Sequence, residues 1–431
     1  MAHGGESAGA PADGTPTEPS SSSYTKPLRR KSRGGCFVVP EIMLRAPAPA
    51  SRDLTPQVIC RRLAGLGCCG KCCAFCNGAW WAFLVLQSPR FYASPDLIVI
   101  MPALFLAGPG MLELLKLLQD GRFHSGEALG AHLGISRSAV WKQLQGLEAE
   151  LGIGVFKVPG RGYRLLSPMV LLDAERLSRE TALLQWPIFV ETSVDSTNAE
   201  IFRRLDAGVK APFVLLAERQ MAGRGRRGRA WVSPFAENLY CSLVLRVDGG
   251  MSQVEALSLT VGLAVAKTLQ DSGLGDVGLK WPNDVLCAGH KISGILLELA
   301  GDPADVCHVV IGIGINVNMM IDATIAIDQP WTSVRQCIGR MVDRNELAVR
   351  LLLQLRECLS RHWQGGFASL RDEWEALHAW RGRNVALTAG NNATLGTVVG
   401  VDERGAIRLS VEGVEHAFSG GELSLRLQHD S

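Results

Sequence analysis

Apolar residues at helical spacing begin at Met111 and continue through Leu112, Leu114, Leu115, Leu117 and Leu118, until Asp120-Gly121 stops the stripe. Ser125 is placed to cap a second helix that runs through Ala128-Leu129 to Leu133. Gly134 supplies a tight turn, and Ser136 caps a third helix from Arg137 to about Leu147. On that helix Ala139, Val140 and Leu144 face inward, while Arg137, Trp141, Lys142 and Gln143 face outward. Two β-prone runs, Val155–Val158 and Tyr163–Leu166, are joined by Pro159-Gly160-Arg161-Gly162 and read as a hairpin. Helix, glycine turn, helix and hairpin make a winged helix-turn-helix pattern. Its basic positions Lys157, Arg161 and Arg164 favour DNA over a module used only for protein contact.

Beyond this module the pattern alternates between the two periods, as in a mixed α/β domain. Strands are expected at Ile188–Glu191, Phe213–Glu218, Leu239–Leu245, Gly278–Lys280, Ile292–Leu299 and Val306–Asn316. Helices are expected at Thr197–Asp206, Val254–Ser272 and Arg344–Leu359. From Arg383 to Leu427 short apolar runs are punctuated by Gly396, Gly400, Gly405, Gly413 and Gly420-Gly421, which suggests a small β-barrel. The expected fold class is therefore α+β, with domains at 111–170, 172–380 and 381–428.

Residues 1–110 read differently. They open with low-complexity Gly, Ala, Pro and Ser, and they lack hydrophobic periodicity. The run from Cys68 to Cys76 has cysteines at zinc-ligand spacing. With no periodic pattern around it, the favoured reading is an extension that is not a folded domain, with Met111 as the translation start. The apolar run Leu97–Ala107 is too short to span a bilayer and is broken by Pro102, so no membrane partner is expected.

The chain has 431 residues, 47% of them hydrophobic and 20% charged, which fits several domains with proper cores rather than a disordered protein. Its net charge of +2 hides a division. Residues 1–110 hold 11 Lys/Arg against 6 Asp/Glu, and residues 111–431 hold 33 against 36, so any DNA contact must come from a local patch. Of 12 cysteines, the five beyond residue 77 are scattered singly, as reduced thiols in a cytoplasmic protein would be.

The chemistry concentrates at Gly223-Arg224-Gly225-Arg226-Arg227-Gly228-Arg229-Ala230-Trp231. Glycines let backbone approach a ligand, and arginine forks match phosphate or carboxylate oxygens. Like charges packed this closely call for an anion, either nucleic acid or a small phosphorylated ligand. No GxSxG or Walker-type GxxxxGK[ST] segment is present. Further along stand Lys280-Trp281-Pro282-Asn283-Asp284-Val285, then Lys291-Ile292-Ser293-Gly294, then Gly312-Ile313-Gly314-Ile315-Asn316. Asp195-Ser196-Thr197-Asn198 lies upstream.

In this order the set resembles the biotin–protein ligase family, including members that also repress the biotin operon. The likeness runs from Met111 to the C-terminus. It implies a class II synthetase-like catalytic domain, an SH3-like C-terminal domain, and biotin and ATP as substrates with Mg²⁺. Biotinyl-5′-AMP would form first, and biotin would pass to a lysine of a biotin carboxyl carrier protein. By the same resemblance Ser196, Thr197, Asn198, Gln220, Gly223, Arg224, Gly225, Arg226, Lys291 and Gly294 hold biotin. Arg229, Trp231, Lys280, Asn283 and Asn316 face ATP. Arg226, Lys291 and Asp284 carry the chemistry, and Asp284 also contacts Mg²⁺. Ser136, Arg137, Trp141, Lys142, Gln143 and Arg161 meet operator DNA as an adenylate-bound homodimer. Three alternatives stay open: a lipoate-type ligase, a biotin-sensing regulator without catalysis, and a ligase whose winged module no longer binds DNA.

Overall fold

The structure, a computed structural model, describes residues 109–248, 251–301, 306–320, 327–390, 392–419 and 423–428. The cysteine run Cys68–Cys76 and the apolar run Leu97–Ala107 lie outside the described residues.

Helix α1 (Pro109–Leu118) is followed by α2 (Gly126–Leu133) and α3 (Arg137–Leu151). Both expected caps form: the Ala128 N–H donates to Ser125 Oγ at 3.0 Å and the Ala139 N–H to Ser136 Oγ at 3.2 Å. Gly134 and Gly152 end α2 and α3 in the left-handed conformation, so α3 runs beyond Leu147 to Leu151. The wing pairs β1 (Val155–Val158) antiparallel with β2 (Gly162–Leu165). Leu114, Leu115, Leu118, Leu129, Val140, Leu144 and Leu147 close a core that also takes in Phe235 and Ala236 from the next layer.

The central part is built on a seven-stranded sheet in the order β3-β4-β5-β9-β8-β7-β6. These strands are β3 (Ile188–Glu191), β4 (Phe213–Ala217), β5 (Leu239–Asp248), β6 (Val277–Lys280), β7 (Asp284–Cys287), β8 (His290–Gly301) and β9 (Val306–Ile315). Only β3 and β4 run parallel; the other neighbours are antiparallel. Strand alternation puts Val214 and Leu216 into the large core beneath α6 (Leu257–Asp271) and α8 (Arg344–Gly365). Phe213 and Leu215 point the other way, onto Ile201 of α5 (Thr197–Asp206). The smaller helices are α4 (Ala174–Glu180), α7 (Val334–Ile338) and α9 (Arg371–Ala376).

One buried ion pair locks the start of this part to its middle. Arg344 Nη2 meets Glu218 Oε2 at 2.5 Å, and its other donors reach the Val170 and Asn238 carbonyls. Glu218 Oε1 accepts from the Leu172 N–H at 2.6 Å. The C-terminal part is an all-antiparallel sheet in the order β13-β12-β11-β10-β14. It comprises β10 (Asn384–Ala389), β11 (Asn392–Val401), β12 (Ile407–Val411), β13 (Val414–Phe418) and β14 (Leu423–Leu427). The order agrees with the small β-rich domain expected from the glycine spacing.

Candidate active site

A cavity of about 400 Å³ opens where the glycine–arginine loop crosses the ends of β7, β8 and β9 and meets β14. Except for Gly223, every residue expected to hold biotin or ATP lines it. Gly223 packs within the loop instead: a Cβ there would stand 2.6 Å from the Trp231 carbonyl oxygen.

The loop is held by its own backbone. The Gly225 N–H donates to Arg229 O at 2.7 Å and the Trp231 N–H to Gly223 O at 2.8 Å. Arg227 (φ 59) and Gly228 (φ 70) take the left-handed conformation that the tight turn requires. The arginines therefore fan out on different sides. Arg226 donates to Asn283 Oδ1 at 2.9 Å and to the Leu423 carbonyl of β14 at 3.0 Å. Arg224 lies 3.5 Å from Glu298, and Arg229 is exposed at the mouth. Asn283 in turn donates to the Ile295 carbonyl, so its amide braces Arg226 from the sheet.

Opposite the loop, Asp284 sits between two lysines, 2.7 Å from Lys291 Nζ and 3.5 Å from Lys280 Nζ. Burial pulls the Lys280 pKa below its ordinary value, and the charges of Lys291 and Arg229 pull the same way against Asp284. An anion entering here relieves that repulsion. Among the described residues no group of three or more His, Cys, Asp or Glu is placed to hold a metal. With both Asp284 oxygens facing lysines, the donor set suits a divalent cation carried in by phosphate oxygens, not one caged by protein.

The inner end is polar and tightly wired. Gln220 Oε1 accepts from the Thr197 N–H at 2.9 Å and from Thr197 Oγ1 at 3.1 Å, while Gln220 Nε2 donates to Ser233 Oγ. Ser242, buried on β5, donates to Asn198 Oδ1 at 2.6 Å, and its Oγ also lies 2.7 Å from Thr197 Oγ1. Ser196 occupies the N-cap position of α5 without making the cap bond, which leaves its buried hydroxyl at the cavity wall.

Several of the expected residues sit in contacts that the sequence did not show. Glycines 294, 312 and 314 do permit close approach, but to side chains of this chain. A Cβ on Gly314 would lie 2.5 Å from Trp231 Cε2, one on Gly294 3.1 Å from Trp231 Cζ3, and one on Gly312 2.6 Å from Asn198 Oδ1. Trp231 thus rests flat on a glycine floor, with Lys291 Nζ 5.5 Å from its ring centre. Asn316, expected to face ATP, spends its amide donor on the Thr332 carbonyl at 3.0 Å. Gln143, expected on the outer face of α3, is half-buried with Oε1 enclosed, because its amide turns toward Gly110 of α1.

Other residues of the winged surface face solvent. Arg137, Lys142 and Arg161 are exposed, as is Ser136, the cap of α3. Trp141 stacks on Tyr163 at 6.0 Å and carries Lys157 Nζ 4.4 Å from its ring centre. Sequence reasoning missed Trp331, Asp328 and the β14 residues Leu423–Leu425, which also line the cavity. Trp331 follows Gln329-Pro330 with no periodic signal, and β14 is distant in sequence, so only tertiary pairing brings either in.

Residues 190–316 match the Biotin/lipoate A/B protein ligase family, residues 111–164 an HTH domain, and residues 382–426 the Biotin protein ligase C terminal domain. The chain is 40% identical over 315 residues to the bifunctional ligase/repressor BirA of Salmonella typhimurium, covering 73% of this chain and 97% of that protein. It is 38% identical over 225 residues to the biotin--[acetyl-CoA-carboxylase] ligase of Paracoccus denitrificans, covering 50% of this chain and 90% of that one. The solved biotin protein ligase from Aquifex aeolicus, in complex with biotin and ATP, is 31% identical, with a TM-score of 0.49 over 56% of this chain and 99% of that chain.

Proposed function

The chain belongs to the biotin protein ligase family, in the company of its bifunctional ligase/repressors, and from that membership we infer that it is an ATP-dependent biotin protein ligase and a repressor. The observation that carries the site reading is the convergence of Arg224, Arg226, Arg229, Lys280 and Lys291 on one cavity whose inner end is polar and uncharged. A molecule with an amide-like head and a carboxylate tail, meeting a triphosphate, fits that distribution. We assign 111–170 to the DNA-binding module, 172–380 to catalysis and 381–428 to the C-terminal domain.

Joining a carboxylate to an amine is uphill, so the acid is activated first. The biotin carboxylate oxygen attacks the α-phosphorus of MgATP, a P–O bond forms, and pyrophosphate leaves. The acid is already ionised, so alignment and charge neutralisation do the catalytic work. Lys291, fixed by Asp284, neutralises the carboxylate–phosphate junction from one side. Arg226, fixed by Asn283 and the Leu423 carbonyl, does so from the other. Ser196, Thr197, Asn198 and Gln220 shape the pocket for the biotin head, with Gly223, Gly225 and Gly294 allowing the loop and Trp231 to lie close. Arg229 and Lys280 meet the leaving pyrophosphate, Asp284 would be the residue beside a magnesium ion carried in with ATP, and the indoles of Trp231 and Trp331 border the adenine. Asn316 acts on the nucleotide through the strap it holds at Thr332.

In the second half-reaction the ε-amine of a biotin carboxyl carrier lysine attacks the acyl carbon, AMP leaves, and Asp284 is the carboxylate at hand for the amine's proton. Arg137, Lys142 and Arg161, with Lys157 beside them, contact operator phosphates and bases. Pairing of two adenylate-bound chains sets two such surfaces on two half-sites. The carrier protein and ATP that this scheme uses point to the cytoplasm as its setting. Intact mass of a carrier domain incubated with MgATP and either biotin or lipoate tests the reading. A gain of one biotin, lost when the carrier lysine is changed to arginine, supports it; modification by lipoate alone overturns the substrate assignment.

A further inference from the structure

Cys287 and Cys337 were expected to be isolated thiols, yet their Sγ atoms lie 3.1 Å apart. Cys287 is buried at the end of β7, where it pairs with His290 across the exposed β7–β8 turn. Cys337 is exposed on α7, with Thr332 Oγ1 3.5 Å from its sulfur. The other described cysteines, Cys241, Cys307 and Cys358, are all buried. One thiol open to solvent against one enclosed thiol is the arrangement of a reactive cysteine beside a resolving one. A bonded pair requires a sulfur separation of about 2 Å, so only about 1 Å must close.

The two residues flank the strap that crosses the catalytic lysine. The Lys291 N–H donates to Pro330 O at 3.1 Å, and the Thr332 N–H donates back to Lys291 O at 2.9 Å. Asn316, the residue after β9, holds Thr332 and Val334. Cys337 lies one helical turn beyond Val334, whereas Cys287 ends β7, one residue past Leu286, the β7 partner of Lys291 on β8. A covalent link between them clamps the strap to the β7–β8 hairpin and restrains Lys291 and Trp331 together.

We propose that Cys287 and Cys337 form a reversible, peroxide-driven disulfide that restrains the strap over Lys291 and slows adenylation. The Cys337 sulfur attacks a hydroperoxide oxygen; an S–O bond forms, the O–O bond breaks, and the departing hydroxide takes up a proton as water. The Cys287 sulfur then attacks the sulfenic sulfur, and the S–S bond forms as the S–O bond breaks. The Cys287 proton leaves with hydroxide as a second water. Two thiols are oxidised and one peroxide is reduced. Burial, with the neighbouring Cys337, pushes the Cys287 thiol up to about 12, so it keeps its proton until this step. A low-molecular-weight dithiol reverses the bond by exchange.

The site is independent of the assigned activity, while the effect on rate rests on it. Full-length protein is treated with hydrogen peroxide, alkylated and digested. A linked Cys287–Cys337 peptide that dithiothreitol removes is expected, and in Cys287→Ser a dimedone adduct accumulates on Cys337. Both residues recovered as free thiols, or Cys337 carried straight to sulfinic acid in the wild type, would overturn the site. Biotin-dependent pyrophosphate release should fall severalfold in the cross-linked protein and return with dithiothreitol, while Cys337→Ser is indifferent to peroxide. Unchanged release from fully cross-linked protein overturns the restraint on Lys291. No release from the reduced protein would instead count against the ligase reading and leave the mapped bond standing.

Discussion

Replacing Glu218 by alanine strands a fully buried guanidinium. Arg344 and Glu218 are both enclosed, and Arg344 keeps its bonds to the Val170 and Asn238 carbonyls when the carboxylate is removed. Those carbonyls satisfy its hydrogens but do not cancel its charge. Removing one partner of such a pair costs about 3–5 kcal/mol. The Leu172 N–H also loses its acceptor, which belongs to the same order of cost. Nearby Glu237 offers partial relief: burial raises its pKa, and the charges of Arg344 and Arg335 hold it down. We therefore expect Glu218→Ala to cost about 3 kcal/mol, near the lower end of that range. Glu218→Ala combined with Arg344→Ala should cost about 1–3 kcal/mol less than the sum of the singles. Urea denaturation of the four proteins, followed through the transition of the central sheet, gives both quantities. A single-site loss below about 1 kcal/mol, or strict additivity, would refute the idea that this pair carries an uncompensated charge when broken.

Arg226→Ala removes the bonds to Asn283 and Leu423, so adenylate formation should slow about a hundredfold and bound adenylate should leak; quenched-flow pyrophosphate release and filter retention of labelled adenylate check this, and wild-type values for both remove Arg226 from the mechanism. Gly314→Val drives a side chain into the Trp231 ring and should cost about 1–3 kcal/mol in stability while weakening biotin binding; calorimetric biotin affinity equal to wild type would show the ring is free to move. Burial lowers the His378 pKa to about 4, and the Arg381 charge adds to this. The unfolded chain thus takes up this proton first, so the stability is present above the unfolded histidine value near 6.5 and is lost as pH falls from there toward 4, by about 3 kcal/mol; His378→Phe should flatten the acid limb of a melting-temperature profile, and an unchanged limb contradicts the assignment. Arg137→Ala with Lys142→Ala should reduce operator binding and lower the salt slope by about one for each phosphate that is no longer neutralised; a gel shift across salt concentrations shows whether it does.

Helix α5 has the expected bounds, because polar Asp195-Ser196-Thr197 opens it and Ile201, Phe202 and Leu205 give it an apolar face before Asp206. Other limits moved for physical reasons. Helix α6 starts at Leu257, not Val254, because Ala256 at its N-cap adopts φ 55 and residues 251–254 form a separate 3₁₀ turn. Helix α8 continues past Leu359 to Gly365 because His362 is buried against Thr260, a contact invisible in a periodicity that ends in polar residues. At the site, residue types and order revealed the loop, the two lysines and Asp284. They did not reveal that Ser242 wires Thr197 to Asn198, that β14 caps Arg226, or that Cys287 meets Cys337. Each of those contacts joins segments far apart in sequence through pairings with no local pattern. The glycines were read correctly as points of close approach, but what approaches is Trp231 and Asn198.

Biotin-dependent release of pyrophosphate from MgATP, measured for the wild type and for Lys291→Ala in a single turnover, tests the central claim most directly. Burst release of one equivalent by the wild type, and loss of that burst in a folded Lys291→Ala protein, is the result this account expects. A wild type that releases none with biotin, or a Lys291→Ala protein that keeps the full burst, would contradict it.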